Sequence, residues 1–144
     1  MNISSHFTWD EVTFSETASR EGIDNSLPFE LKQNALSQSE LMEKVRELLG
    51  QPIFITSWYR CDKLNSFLGS SVKSDHRLAL ACDFKSPFGT PYQVCKKIES
   101  SNIDFGQLIH EFNSWTHISL GTKRELLTAK KINGVTHYLP GILT

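Results

Sequence analysis

Cysteine, proline, glycine and net charge are all scarce in this chain, and each scarcity closes off a class of protein. Only 3 of the 144 residues are cysteine. Cys61, Cys82 and Cys95 are odd in number and lack C-x-x-C spacing, so neither a disulfide framework nor a cysteine-built metal knot is expected. They read as reduced thiols, with Cys82 and Cys95 packed inside and Cys61, next to Arg60, nearer the surface. With 5 Pro and 8 Gly there is no collagen-like or linker-rich tract, and no internal repeat. The net charge is only -1, and the basic pairs Lys96-Lys97, Lys123-Arg124 and Lys130-Lys131 are scattered. Nucleic acid is therefore not an expected partner. No apolar run approaches the ~20 residues of a membrane span. The first residues show no basic segment leading into an apolar stretch, so the chain reads as made in the cytoplasm without an export signal.

What remains is a hydrophobic content of 39% and a charged content of 22% over 144 residues. That composition suits one globular unit spanning residues 1–144, burying roughly two-thirds of its unfolded surface. No self-association signal stands out, and a monomer is expected.

Hydrophobic period and capping residues place the elements. Thr8-x-x-Glu11 and Thr13-x-x-Glu16 both have capping-box form, and the second predicts a short helix ending near Gly22. Ser37-x-x-Glu40 offers another box, followed by Leu41, Val45, Leu48 and Leu49 at helical spacing up to Gly50, with an earlier start near Pro28 also allowed. Ile53 to Thr56 reads as a buried strand with Arg60 just beyond it. Asp62 to Phe67 suits a helical turn, Leu80 to Phe84 a strand, and Thr90-Pro91 a helix start running through Ile98. Phe105–Phe112 and Trp115–Leu120 flank Asn113-Ser114 as a hairpin. Thr122 to Lys131 is polar and reads as a short helix, with Val135 to Leu139 a possible edge strand. The class is α+β, a small antiparallel sheet with helices packed on it.

The chemistry concentrates in Ser74-Asp75-His76-Arg77-Leu78-Ala79-Leu80-Ala81-Cys82-Asp83 and in Trp115-Thr116-His117. Two imidazoles and a carboxylate are a donor set for a catalytic zinc that keeps a position open for water. Small Ala79 and Ala81 would let the backbone close up so that both ligands of the first segment reach one ion. A lone His-x6-Asp spacing is common by chance, so the context carries the weight.

These segments resemble the zinc D-Ala-D-Ala carboxypeptidases and their phage endolysin relatives, whose signature is Ser-x-His-x-x-Gly-x-Ala-x-Asp followed by Trp-x-His. Ser74, His76, Ala81 and Asp83 match the first part, and Trp115 and His117 the second. Ile55-Thr56-Ser57-Trp58-Tyr59-Arg60 resembles the strand and Ser-x-Tyr-Arg segment of that family, and the likeness runs from about Phe7 to Leu120. The resemblance implies a zinc D-Ala-D-Ala carboxypeptidase or hedgehog-like fold, with Zn2+ held by His76, Asp83 and His117. It also implies hydrolysis of peptides of bacterial peptidoglycan. On this reading Arg60 clamps a substrate carboxylate or steadies the oxyanion, and Ser74 contacts substrate or orients the ligand loop. Action on the cell wall after release, as an endolysin, or as a virion-associated component would follow.

Two departures bear on activity. The usual glycine of the signature is Ala79, acceptable only where a positive φ is not demanded. An acidic residue often stands three positions before the last histidine, and here that position is Ser114. Glu111, in the Glu-x-x-x-Trp-x-His pattern of the phage-type branch, is the replacement general base. Register decides: a hairpin with an odd turn puts Glu111 and His117 on one face, whereas a two-residue Asn113-Ser114 turn pairs His110 with His117. Trp115 is expected in the core, and Trp58 and Tyr59 either there or beside a groove. A non-catalytic zinc-containing wall-binding or structural protein on the same fold is the competing reading, and a thiol enzyme built on Cys61 a third.

Overall fold

Alternation along the strands sorts this molecule into a packed side and an open side. The computed structural model describes residues 1–144. Six strands, β1 (Phe54–Ser57), β2 (Ala81–Lys85), β3 (Gln107–Glu111), β4 (Trp115–Ser119), β5 (Glu125–Ile132) and β6 (Val135–Pro140), form one sheet in the order β1-β2-β4-β3-β5-β6. Cys82, Phe84, Leu108 and Ile118 lie on one face and are fully buried. Asp83, Ile109, Glu111, Trp115 and His117 alternate with them and so occupy the other face.

The packed face is covered by α3 (Lys32–Leu49) and α5 (Pro91–Glu99). Ala35, Leu41, Met42, Val45 and Leu49 of α3 join Val94, Cys95 and Ile98 of α5 over Phe84, Phe105, Leu108 and Ile118 in one apolar core. Polar groups enter it as well, among them Gln38, which donates from Nε2 to the Ile118 carbonyl at 3.2 Å and ties α3 to β4. Thr90 and Gln93 form a capping box, and Pro91 opens α5 where its missing N–H is harmless.

Near the N-terminus, α1 (Trp9–Thr13) starts at the Thr8–Glu11 box. The following helix, α2 (Glu16–Glu21), is capped by Ser15 rather than Thr13, and Gly22 closes it in the left-handed conformation. The Ser37-x-x-Glu40 box does not form. Those residues lie inside α3, which runs on from a 3-10 turn at Phe29–Leu31, and buried Ser39 bonds the Leu36 carbonyl. Remaining short elements are α4 (Asp62–Phe67), with Cys61 as its N-cap, and a 3-10 turn at Asp75–Leu78.

The sheet departs from the expected antiparallel pattern at one place. Glu125 to Ile132 is a strand rather than a helix, and it pairs parallel to β3 in the register Glu111↔Ala129. The chain reaches it from β4 by crossing the start of β3 at Gly106 and Gly121. A Cβ on Gly106 would come within 2.8 Å of the Leu120 carbonyl oxygen, and one on Gly121, at φ +148°, within 3.0 Å of the Gly106 Cα. Bare backbone lets five residues, 120–124, make the crossing. Val135–Pro140 then closes an antiparallel β5–β6 hairpin.

Ala79, where the signature carries glycine, has φ +60° and is fully buried. The left-handed conformation disfavours any Cβ, so the backbone here demands what glycine supplies more cheaply. Ala79→Gly is therefore expected to shift stability by less than about 1 kcal/mol, relief of roughly 1–2 kcal/mol of left-handed strain being set against about 0.8 kcal/mol for the lost methyl and about 0.4–1 kcal/mol for the freer unfolded chain. Urea unfolding measures this, and a lower midpoint would show that the buried methyl outweighs the strain.

Candidate metal centre and active site

Three adjacent strands and one turn deliver the central residues. Asp83 of β2 lies directly opposite His117 of β4, and Ser57 of β1 opposite Asp83. His76 comes from the 3-10 turn, whose start is fixed by Ser74: its hydroxyl accepts from the His76 N–H at 3.3 Å. Ser74 also lines the cleft in front of the site. One ligand atom from each of His76, Asp83 and His117 lies within 4.8 Å of the others, and all three residues are buried.

The proton positions follow from the neighbours. His76 Nδ1 sits 2.6 Å from the Trp58 carbonyl, which can only accept, so that nitrogen donates and Nε2 presents a lone pair. Nε2 faces Asp83 Oδ1 at 3.2 Å. Burial, ahead of the opposing pull of Asp83, holds the His76 pKa below its ordinary value. Two electron-rich atoms then face each other without a proton between them. His117 Nδ1 approaches the same oxygen at 2.9 Å, while its buried Nε2 has no partner. For His117, burial is outweighed by Asp83, and its pKa rises. Burial alone would raise the Asp83 carboxyl, but the two imidazoles hold it well below the usual carboxylate range.

This constellation fits a cation. Two imidazole nitrogens and one carboxylate oxygen converge from different elements, and the facing lone pairs of His76 and Asp83 are reconciled by a positive charge among them. Mixed nitrogen and oxygen donors in this number suit zinc with one position left open. Asp83 is also held from behind. Its Oδ2 accepts from Arg60 Nη2 at 3.2 Å, and Arg60 is itself braced by Ser57 Oγ and Ser70 Oγ, each at 3.0 Å. The guanidinium orients the ligand carboxylate, a task beyond the substrate clamp expected for it, and it keeps two N–H groups unused.

The hairpin register settles the face of Glu111. Glu111 pairs with Trp115 and Ile109 with His117, around a three-residue turn at 112–114 in which Phe112 and Asn113 have positive φ. Glu111 is thus diagonal to His117 on the same face, with Oε1 3.5 Å from His117 Nδ1. Neither pairing entertained from sequence, Glu111 or His110 directly opposite His117, occurs, but the odd turn preserves the parity that matters. His110 points to the other face, where Nδ1 donates to the Leu143 carbonyl at 2.8 Å. Ser114 is exposed at the turn and donates to the Phe112 carbonyl. Burial first, and the Asp83 charge second, raise the Glu111 carboxyl to about 7.

A cleft of about 860 Å³ opens over these groups. Trp115, expected in the core, is only partly buried and lines this cleft, packed edge-on to Phe112 at 5.5 Å. Trp58 and Tyr59, by contrast, belong to the core. Leu127, Lys131, Thr136 and Tyr138 of the β5–β6 hairpin also line it. Sequence reasoning passed over these four because their segment offered only a polar run and a possible edge strand. No helix is long and apolar enough to cross a membrane.

Comparison with known proteins agrees with this geometry. Among curated proteins nothing matches the chain. A family model described as Peptidase M15 matches residues 5–119, a span that includes His76, Asp83, Glu111, His117 and Arg60. On four-fifths of its length, then, the chain belongs to the peptidase M15 family.

Proposed function

We propose that the protein is a zinc-dependent peptidase that hydrolyses peptide bonds in the stem peptides of bacterial peptidoglycan, either removing a terminal D-Ala or cutting within the peptide. The observation that carries the catalytic reading is Glu111: its Oε1 stands 3.5 Å from a nitrogen of the His76–Asp83–His117 cluster, on the open face of the sheet. A structural metal site has no use for a partly buried acid beside its ligands at the floor of a cleft.

His76 through Nε2, Asp83 through Oδ1 and His117 through Nδ1 would hold the zinc. When bound, the ion supplies Lewis acidity and lowers the pKa of a coordinated water toward ~7. Glu111 accepts a proton from the attacking water and returns it to the leaving amine. Arg60 keeps Asp83 aimed and offers its two free N–H groups to the carbonyl oxygen as that oxygen becomes anionic. Trp115 and Phe112 shield the Glu111 side from solvent.

The test is digestion of purified peptidoglycan by zinc-loaded protein, with and without chelator. Free D-Ala or new peptide termini should appear only with zinc, and the product separates carboxypeptidase from endopeptidase action. No product from the zinc-loaded protein would sink the proposal. Because Glu111 must be ionised to act, kcat/KM should rise with pH on an acidic limb at or below about 7, the bound cation pulling it down from the metal-free value.

A further inference from the structure

The family match ends at residue 119, yet the sheet continues for two more strands, and those strands wall the cleft. Their register brings them to the site. Glu111 lies beside Ala129 of β5, and Ala129 lies opposite Tyr138 of β6, so the three occupy one row on the open face. Ala129 is fully buried and its side chain is a single methyl. Ala129 itself does not line the cleft, whereas Glu111 and Tyr138 on either side of it do. Tyr138 is 56% exposed and lines the cleft. Burial first, then the charges of Glu111 and Asp83, holds its phenol above the ordinary pKa. Two pairs further along the hairpin, Lys131 stands opposite Thr136, both exposed and both lining the cleft.

Charge gives the row a ligand preference. Arg60, Lys73 and Lys131 balance Asp75, Asp83 and Glu111 among the residues lining the cleft. A divalent metal then leaves the loaded cleft with a surplus of about two positive charges, on a chain whose formal net charge is -1. Arg60 is committed to Asp83, whereas Lys131 has no acidic partner within ion-pair distance. Lys131 is the free cation on the hairpin side.

We propose that the β5–β6 hairpin is the selectivity wall of this peptidase, in which Lys131 pairs with a carboxylate of an acidic peptide and Tyr138 packs on the backbone next to it. The proposal rests on the reading of the cleft as a peptide site and adds the class of peptide it prefers. Lys131 and Tyr138 are specificity residues, and the metal ligands and Glu111 do not depend on them.

The experiment uses two synthetic stem pentapeptides, identical except that the mid-chain glutamate carries a free carboxylate in one and a carboxamide in the other. Binding of each to zinc-loaded full-length protein is measured by calorimetry, and cleavage is followed in parallel. Wild type should bind the acid more tightly, with a preference that shrinks as salt is raised. Lys131→Met should remove about fivefold of affinity for the acid and leave the amide unchanged, the size of an exposed ion pair. Lys131→Arg should retain the preference, and Tyr138→Ala should weaken both peptides alike. Lys96→Met, on α5, serves as a control that changes neither. An unchanged preference in Lys131→Met, or no binding of either peptide to wild type, overturns the proposal. Binding with the expected preference but no cleavage overturns the catalytic reading and leaves the wall standing.

Discussion

Glu111→Gln should lower kcat by about 10²–10⁴-fold while the protein keeps its full complement of zinc. The side chain keeps its size and can still hydrogen-bond, but an amide cannot take a proton from water. A second consequence separates Glu111 from a bystander. In the metal-free protein its carboxyl titrates near 7, against an ordinary 4.5. Between those values the folded chain retains a proton that the unfolded chain has released. Its stabilising share is thus fully present below about 4.5 and is lost as pH rises through about 7. Glutamine has no such titration. At pH 8, metal-free Glu111→Gln should be more stable than wild type by roughly 3 kcal/mol at most, and the gap should close toward pH 4. Activity assays with metal analysis, and urea unfolding at the two pH values, check both halves. Full activity in the variant would remove Glu111 from the mechanism.

Asp83→Ala should be the most damaging single change in the site. It deletes the one oxygen that faces both imidazoles and, at Oδ2, the buried partner of Arg60. Stripping one partner from a buried ion pair costs roughly 3–5 kcal/mol, a large share of the 5–15 kcal/mol that holds a typical domain together. Zinc should be lost on dialysis, and cleavage with it. His117→Ala should also lose zinc and activity, but with a smaller stability penalty, since Arg60 and Asp83 remain paired. Thermal unfolding of both metal-free variants against metal-free wild type tests the ordering. Equal destabilisation would mean that the Arg60–Asp83 pair contributes nothing, and zinc retained by Asp83→Ala would remove Asp83 from the ligand set.

The convergence of His76, Asp83 and His117 was legible from sequence because a short motif and a strict alternation agree there. Asp83 and His117 sit in strands whose even-numbered neighbours, Cys82, Phe84, Thr116 and Ile118, are all buried, so the period announced which residues face away from the core. Glu111 was legible only up to the length of one turn, which no local pattern determines. Of the second half of the cleft, only the edge strand at Val135–Leu139 was legible. Glu125 to Ile132 contains three charged residues in eight, and its pairing partners are β3, whose residues 107–111 pair with 125–129, and a largely exposed edge strand. Long-range pairing overrode local composition there. The same happened in α3, where packing against the sheet carried the helix straight through the Ser37 cap signal. Trp115 was misplaced because an aromatic residue in a strand is usually core, and here the strand's open face supports a cleft.

The two-sidedness of β2, β3 and β4 has an evolutionary side. Neighbouring residues of one strand answer to different pressures: even positions to the integrity of the fold, odd positions to the identity of the bond being cut. A change of chemistry can therefore accumulate at every second residue without disturbing the scaffold beneath it. The β5–β6 hairpin extends that working surface past the shared family framework, so a lineage could retune which peptides it accepts by altering the exposed positions of a segment that supplies no candidate metal ligand.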